Sequence, residues 1–240
     1  MTPRQVKLLH AIIDEFINNA TAVGSLTLTH RYNLGVSPAT IRNEMADLVE
    51  QGYLEKPHSS SGRIPTNLAY RYFITEILSE LNEIETHLTA NLYEELFQSR
   101  FDFDQLIYQT LDHLSKQTKN TSIILLQNRI YYSGLSYLSN SPEYMDIEKL
   151  GKILDILENK TLLRSMYQRA KGKNDIKILI GEDLGVEGLE DSAFVFSEII
   201  LHGGQKGHLA VFGPTRMNYP KIIPLVDFFS STLNQVISGW

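Results

Sequence analysis

Arg42 and Asn43 stand side by side early in the segment from Ser37 to Gln51, and their side chains suit base edges in a DNA major groove. A guanidinium donates two hydrogen bonds to guanine, and a carboxamide both donates to and accepts from adenine. Ser37 and Thr40 sit where this segment would begin as a helix, and there hydroxyls and free backbone amides favour a phosphate. On a wheel of about 100° per residue, Ile41, Met45 and Leu48 form one apolar stripe. Ala39, Asn43, Ala46 and Glu50 lie opposite, with Thr40 and Arg42 on the flanks. The alanines permit close approach to a duplex, and the acids Asp47 and Glu50 fall toward the far end. That polarity suits a helix whose N-terminal half reaches the bases. Taken alone, the pattern fits an ordinary amphipathic helix with a solvated face equally well.

A second group follows. Lys56-Pro57-His58-Ser59-Ser60-Ser61-Gly62-Arg63 is a polar loop with cations at both ends and three hydroxyls between them. Such a loop can lie along a phosphate backbone or enter a minor groove, while a merely solvated serine-rich turn is the alternative. The candidate DNA-binding residues are therefore Ser37, Ala39, Thr40, Arg42, Asn43, Lys56, His58, Ser59, Ser60 and Arg63.

These residues need a scaffold, and the first 75 residues spell one out. Thr2-Pro3-Arg4-Gln5 is a capping box with proline at the first helical position. Leu8, Leu9, Ile12, Ile13, Phe16 and Ile17 then recur at helical spacing. Gly24-Ser25 gives a break with Ser25 as N-cap of a short second helix through about Tyr32. Gly35 falls where a helix C-terminus needs positive φ, and Ser37-Pro38 opens a third helix that Gly52 ends. Tyr53 to Lys56 reads as a strand, with Arg63-Ile64 as its return and Thr66 as the N-cap of a further helix containing Tyr70, Phe73, Ile74, Ile77, Leu78 and Leu81. Three helices and a hairpin in this order make a winged helix-turn-helix.

Beyond it, helical spacing continues to about Ser115 with a break near Phe101-Asp102-Phe103, and from about residue 121 strands and helices mix. Strands are expected at Ser122–Leu126, Ile130–Tyr132, Ile176–Ile180, Phe194–Leu201 and Gly207–Phe212, and helices at Asp146–Leu157, Lys160–Arg169 and Tyr219–Ile237. The organisation predicted is α+β: a DNA-binding domain over 1–75, connector helices over 76–120, and a mixed domain over 121–240.

Composition narrows the function further. The chain of 240 residues has no cysteine, which removes disulfides, thiolate metal sites and cysteine nucleophiles. The net charge of −6 is unevenly spread, with +1 over residues 1–75 and −7 over the rest. A balance of +1 is a weak electrostatic footprint, which points to specific contacts made in two copies rather than to a general coat on DNA. The N-terminus is not followed by a signal-type apolar run, and no stretch approaches 18 apolar residues, so the expectation is a soluble cytoplasmic protein without a membrane span. No enzyme and no cofactor is indicated. His202-Gly203-Gly204-Gln205-Lys206-Gly207-His208 lacks P-loop spacing and reads as a hairpin turn, and the other histidines show no ligand spacing. Asp183, Glu187, Glu190 and Asp191 read as a solvated loop, and Arg216 as part of a turn.

The run from Gly35 to Leu48 resembles the recognition helix of the heat-inducible transcription repressor HrcA family, as do Gly52 to His58, Ser61 to Thr66 and Tyr70-Arg71. Gly213-Pro214-Thr215-Arg216-Met217-Asn218-Tyr219, followed by Ile223-Pro224-Leu225-Val226, is similar to that family's C-terminal signature. The resemblance implies a repressor of chaperone genes that binds double-stranded DNA as a homodimer at an inverted repeat, the CIRCE element. It also implies a GAF-like C-terminal domain and the chaperonin GroEL as a partner. Family members carry an inserted dimerisation subdomain between the connector and the region of Tyr131-Tyr132, much of which this chain lacks. A different class of function, a regulator that senses a small molecule through the GAF-like domain, is the alternative; no residues specific to a ligand stand out for it.

Overall fold

Capping chemistry sets the ends of the first helices. The computed structural model describes residues 1–58, 62–79, 86–127, 129–173 and 175–238. Helix α1 (Pro3–Asn19) opens with the capping box: the Thr2 hydroxyl accepts from the Gln5 amide at 3.2 Å, and Gln5 Oε1 accepts from the Thr2 amide at 2.9 Å. Helix α2 (Ser25–Arg31) is capped by Gly24 and not, as the sequence suggests, by Ser25. Gly24 has the extended backbone of an N-cap and its carbonyl accepts from Leu28, so Ser25 becomes the first helical residue and is buried. Helix α3 (Pro38–Glu50) starts at Ser37 with Pro38 at its first position. Leu8, Leu9, Ile12, Ile13, Leu28, Ile41 and Leu48 of these three helices are fully or nearly fully buried.

Strands β1 (Leu54–Glu55) and β2 (Ile64–Pro65) pair antiparallel, Leu54 with Pro65 and Glu55 with Ile64. The ladder is shorter than the sequence suggests and its return strand is displaced by one residue, because Arg63 pairs elsewhere, with Val23. Thr66 caps α4 (Asn67–Ser79): its hydroxyl is 3.4 Å from the Ala69 amide and donates to the Gly52 carbonyl at 2.7 Å. Leu81, expected in this helix, lies outside the described residues. Met1–Ser79 form one compact unit and Glu80–Trp240 a second.

In the second unit, α5 (Thr86–Gln98) and α6 (Phe103–Thr118) are separated by the expected break, with Asp102 as the N-cap of α6. Then come β3 (Thr121–Leu125), β4 (Ile130–Ser133), a four-residue α7 (Ser136–Ser139), α8 (Ile147–Glu158), α9 (Lys160–Arg169), β5 (Lys171–Lys173), β6 (Ile176–Ile180), β7 (Ser192–Ile200), β8 (Lys206–Pro214) and α10 (Tyr219–Ser238). The strands form one antiparallel sheet in the order β4-β3-β8-β7-β6-β5. One face carries Ile123, Leu125, Phe194, Phe196, Ala210 and Phe212, buried against Ile153, Leu157, Leu163 and Met166 of α8 and α9. The other face meets α6 and α10, where Ser122 Oγ donates to the Leu111 carbonyl at 2.7 Å and Ser197 Oγ to Ser230 Oγ at 2.9 Å. Helices on both faces of the sheet make this a three-layer, GAF-like α/β domain. Residues 76–120, read from sequence as connector helices, thus contribute α6 to one of its layers. Among the described residues no helix is long and apolar enough to cross a membrane.

Candidate nucleic-acid interface

The third helix presents the residues that the wheel placed outward. Ser37, Ala39, Arg42, Asn43 and Ala46 are exposed and Thr40 is half-buried, whereas Ile41, Met45 and Leu48 are buried. The Ser37 hydroxyl accepts from the Thr40 amide at 3.2 Å and lies 3.0 Å from Thr40 Oγ1, so the cap is formed by the residues expected to meet a phosphate. Glu44, about 60° from Ile41 on the wheel, borders the apolar stripe. It is buried there because Arg4 Nε donates to its carboxylate.

A second buried acid in this unit is Glu15. It accepts from Arg31 Nη1 at 2.6 Å and from Asn19 Nδ2 at 2.6 Å. Tyr32 donates to Asp14 at 2.5 Å; burial first, then that bond, pushes its phenol above the usual range. Arg4 and Arg31 are therefore committed to internal carboxylates. Among the described residues, Arg42 and Lys56 have no ion-pair partner, and both are exposed.

Arg42, Lys56 and Arg63 come together. They line one open groove of about 520 Å³ with Val23, Leu26 and Gly62. The groove exists because the wing is tied back to the turn before α2: Val23 N donates to Arg63 O at 2.8 Å and Arg63 N to Val23 O at 2.9 Å. Gly62 makes this approach feasible. A Cβ there would stand 2.4 Å from the Val23 carbonyl oxygen and 2.8 Å from Ala22 C. Sequence reasoning missed Val23, Gly62 and the exposed Leu26, because a pairing across 40 residues leaves no local pattern. Glycine next to a candidate cation was the one available signal. Of the remaining candidates, His58 is exposed, and Ser59 and Ser60 lie outside the described residues. In chemical terms, a helix face with forked and amide donors adjoins a groove edged by three cations, which suits base edges beside a phosphate backbone.

A family model described as the HrcA protein C terminal domain matches residues 69–223. The chain belongs to the HrcA family. Relatives named heat-inducible transcription repressor HrcA include that of Pelotomaculum thermopropionicum, 28% identical over 98% of this chain and 96% of the relative. That of Carboxydothermus hydrogenoformans is 28% identical, covering 98% of each chain. The first of these alignments extends over 337 positions against 240 residues here, so about a hundred positions of that HrcA relative have no counterpart in this chain. A crystal structure described as that of a hypothetical protein at 2.2 Å resolution superposes with a TM-score of 0.81 at 18% identity, covering 100% of this chain and 99% of its own, a likeness that shows the fold.

Proposed function

We propose that this HrcA-family chain is a heat-inducible, sequence-specific repressor of chaperone genes, acting on double-stranded DNA in the cytoplasm. The observation that carries the reading is the capped, exposed N-terminal half of α3, with Arg42 and Asn43 beside a groove edged by Arg42, Lys56 and Arg63. The helix enters a major groove, Arg42 and Asn43 address base edges, Ser37 and Thr40 hold a phosphate, and Lys56, His58, Ser59, Ser60 and Arg63 position the wing. With only +1 net charge over residues 1–75, one module binds weakly, so the protein works as a homodimer on an inverted repeat. Heat relieves repression by depleting the folded dimer, which is marginally stable as proteins generally are, and GroEL acts as a partner that restores it.

Selection of bound duplexes from a random pool tests this directly. The outcome in favour is an inverted repeat, bound tighter than its scrambled version at one fixed salt concentration. Equal affinity for the two duplexes overturns the proposal.

A further inference from the structure

The apolar face of the six-stranded sheet changes character at one end. Along β8, the side chains that share a face run Phe212, Ala210, His208 and Lys206; on β7 they run Phe194, Phe196 and Glu198. In register, His208 lies between Leu125 of β3 and Glu198 of β7. The last rungs of a core face are thus polar, and α9 roofs them with Arg164, Tyr167 and Gln168, residues one helical turn apart. Together with Gln127 they enclose an open cavity of about 600 Å³.

The cavity has the parts of a binding site. Two stacked rings join the helix roof to the sheet floor, with Tyr167 of α9 and His208 of β8 at a centroid distance of 3.6 Å. Lys177 Nζ stands 4.2 Å from the Tyr167 ring centroid, and the Tyr167 hydroxyl reaches Glu198 Oε2 at 3.4 Å. Lys206 pairs with Glu198 at 2.8 Å, which leaves Arg164 in excess over the acid among the lining residues, and Lys177 adds a second cation beside the Tyr167 ring. Arg164 is exposed and donates through Nη2 to the Gln127 carbonyl at 3.1 Å, which fixes the guanidinium at the rim with its remaining donors available. The Nδ1 of His208 is buried without a hydrogen-bond partner among the described residues, and a polar group so placed calls for a reason beyond packing. Burial also pushes the imidazole down to about 4, so at neutral pH it is an uncharged polar group in the floor.

We propose that this cavity binds a small di- or tricarboxylate, held by Arg164 at the rim and by Lys206 beside the Tyr167–His208 ring pair, with Lys177 adding positive charge next to it. The excess of cations selects an anion, and a planar guanidinium matches a carboxylate in a bidentate fork. The volume, within the range of metabolite pockets, is far more than an inorganic phosphate fills and leaves room for a carbon skeleton.

The test uses the full chain with ring-labelled histidine, followed by NMR during titration with citrate, then with inorganic phosphate and sulfate at matched ionic strength. His208→Gln identifies the His208 resonance by its loss. The outcome in support is a saturable movement of that resonance with citrate, with a midpoint of about 1 mM or below, and weaker, non-saturating effects of the other two anions. Arg164→Gln, at an exposed position, keeps the wild-type melting temperature and raises the citrate midpoint about tenfold. No saturable movement with citrate, the same midpoint for all three anions, or an Arg164→Gln midpoint equal to wild type each overturns the proposal.

Discussion

Replacing Gly62 with alanine separates the wing from the helical core. The added Cβ would lie 2.4 Å from Val23 O, 2.5 Å from Val23 C and 2.8 Å from Ala22 C. All three atoms are backbone, so no side-chain rotation relieves the clash, and the strand must withdraw. Withdrawal breaks the two bonds between Val23 and Arg63. Each is worth about 0.5–1.5 kcal/mol net, so the loss is about 1–3 kcal/mol. Alanine returns about 0.4–1 kcal/mol by restricting the unfolded chain, so the net cost lies between about 0 and 2.6 kcal/mol, centred on roughly 1.3 kcal/mol. For a unit of 79 residues, each kcal/mol moves the melting temperature by about 4–8 °C. At the centre of that range, the first unit of Gly62→Ala is expected to melt roughly 5–10 °C lower. Amide hydrogen exchange should show protection lost at Val23 and Arg63 while Ile41, in the middle of the core, keeps its own. Gly24→Ala is the control, since nothing lies within 4 Å of a Cβ there and its φ is −96°. A Gly62→Ala protein that melts with wild type and keeps both amides protected refutes the reasoning.

Three further outcomes are expected. Arg42→Ala should cost about 1–3 kcal/mol of DNA affinity and relax the preference at one base position, whereas Arg63→Ala should weaken all sequences more evenly; titrations against a set of single-base operator variants distinguish these patterns. Ser37→Ala should destabilise α3 by about 1 kcal/mol, since it removes the acceptor of the Thr40 amide; chemical denaturation measures the loss. His208 is shifted down from 6.5 to about 4, so above pH 6.5 it is neutral in folded and unfolded chains alike. Between those values the unfolded chain takes up the proton first, and the stability of the second unit falls as pH drops. His208→Gln should flatten that part of the stability–pH curve, and an unchanged slope contradicts the burial assigned to the ring.

What could be read from the residues alone was local chemistry. Thr2-Pro3 and Ser37-Pro38 mark helix starts because an N-cap satisfies amides three residues away, and both caps stand where those pairs place them. The Gly24-Ser25 boundary slipped by one because both residues cap well, and only the Leu28 bond to the Gly24 carbonyl decides between them. Glu44 and Glu15 were legible as charges but not as buried ones, since their partners Arg4 and Arg31 lie 40 and 16 residues away. The cavity at His208 was hidden for another reason. Strand β7 is buried on both faces for most of its length, so its sequence lacks the alternation that would assign Glu198 to one side. The polar loop from Lys56 to Arg63 was visible as a wing, but its anchor at Val23 was not.

The internal pairing of Arg4 and Arg31 also bears on how binding responds to salt. Each cation that neutralises a phosphate releases condensed counterions, and the logarithm of affinity falls by about 0.9 per decade of salt for each. With Arg42, Lys56 and Arg63 as the cations at the groove, one module would carry a slope near −3 and the proposed dimer one near −5. Glu44→Gln, on the buried side of α3, would free Arg4 and steepen the slope. Arg4 and Arg31, paired with Glu44 and Glu15, thus add less to non-specific attraction for DNA than their number suggests, which on the proposed reading leaves discrimination to α3.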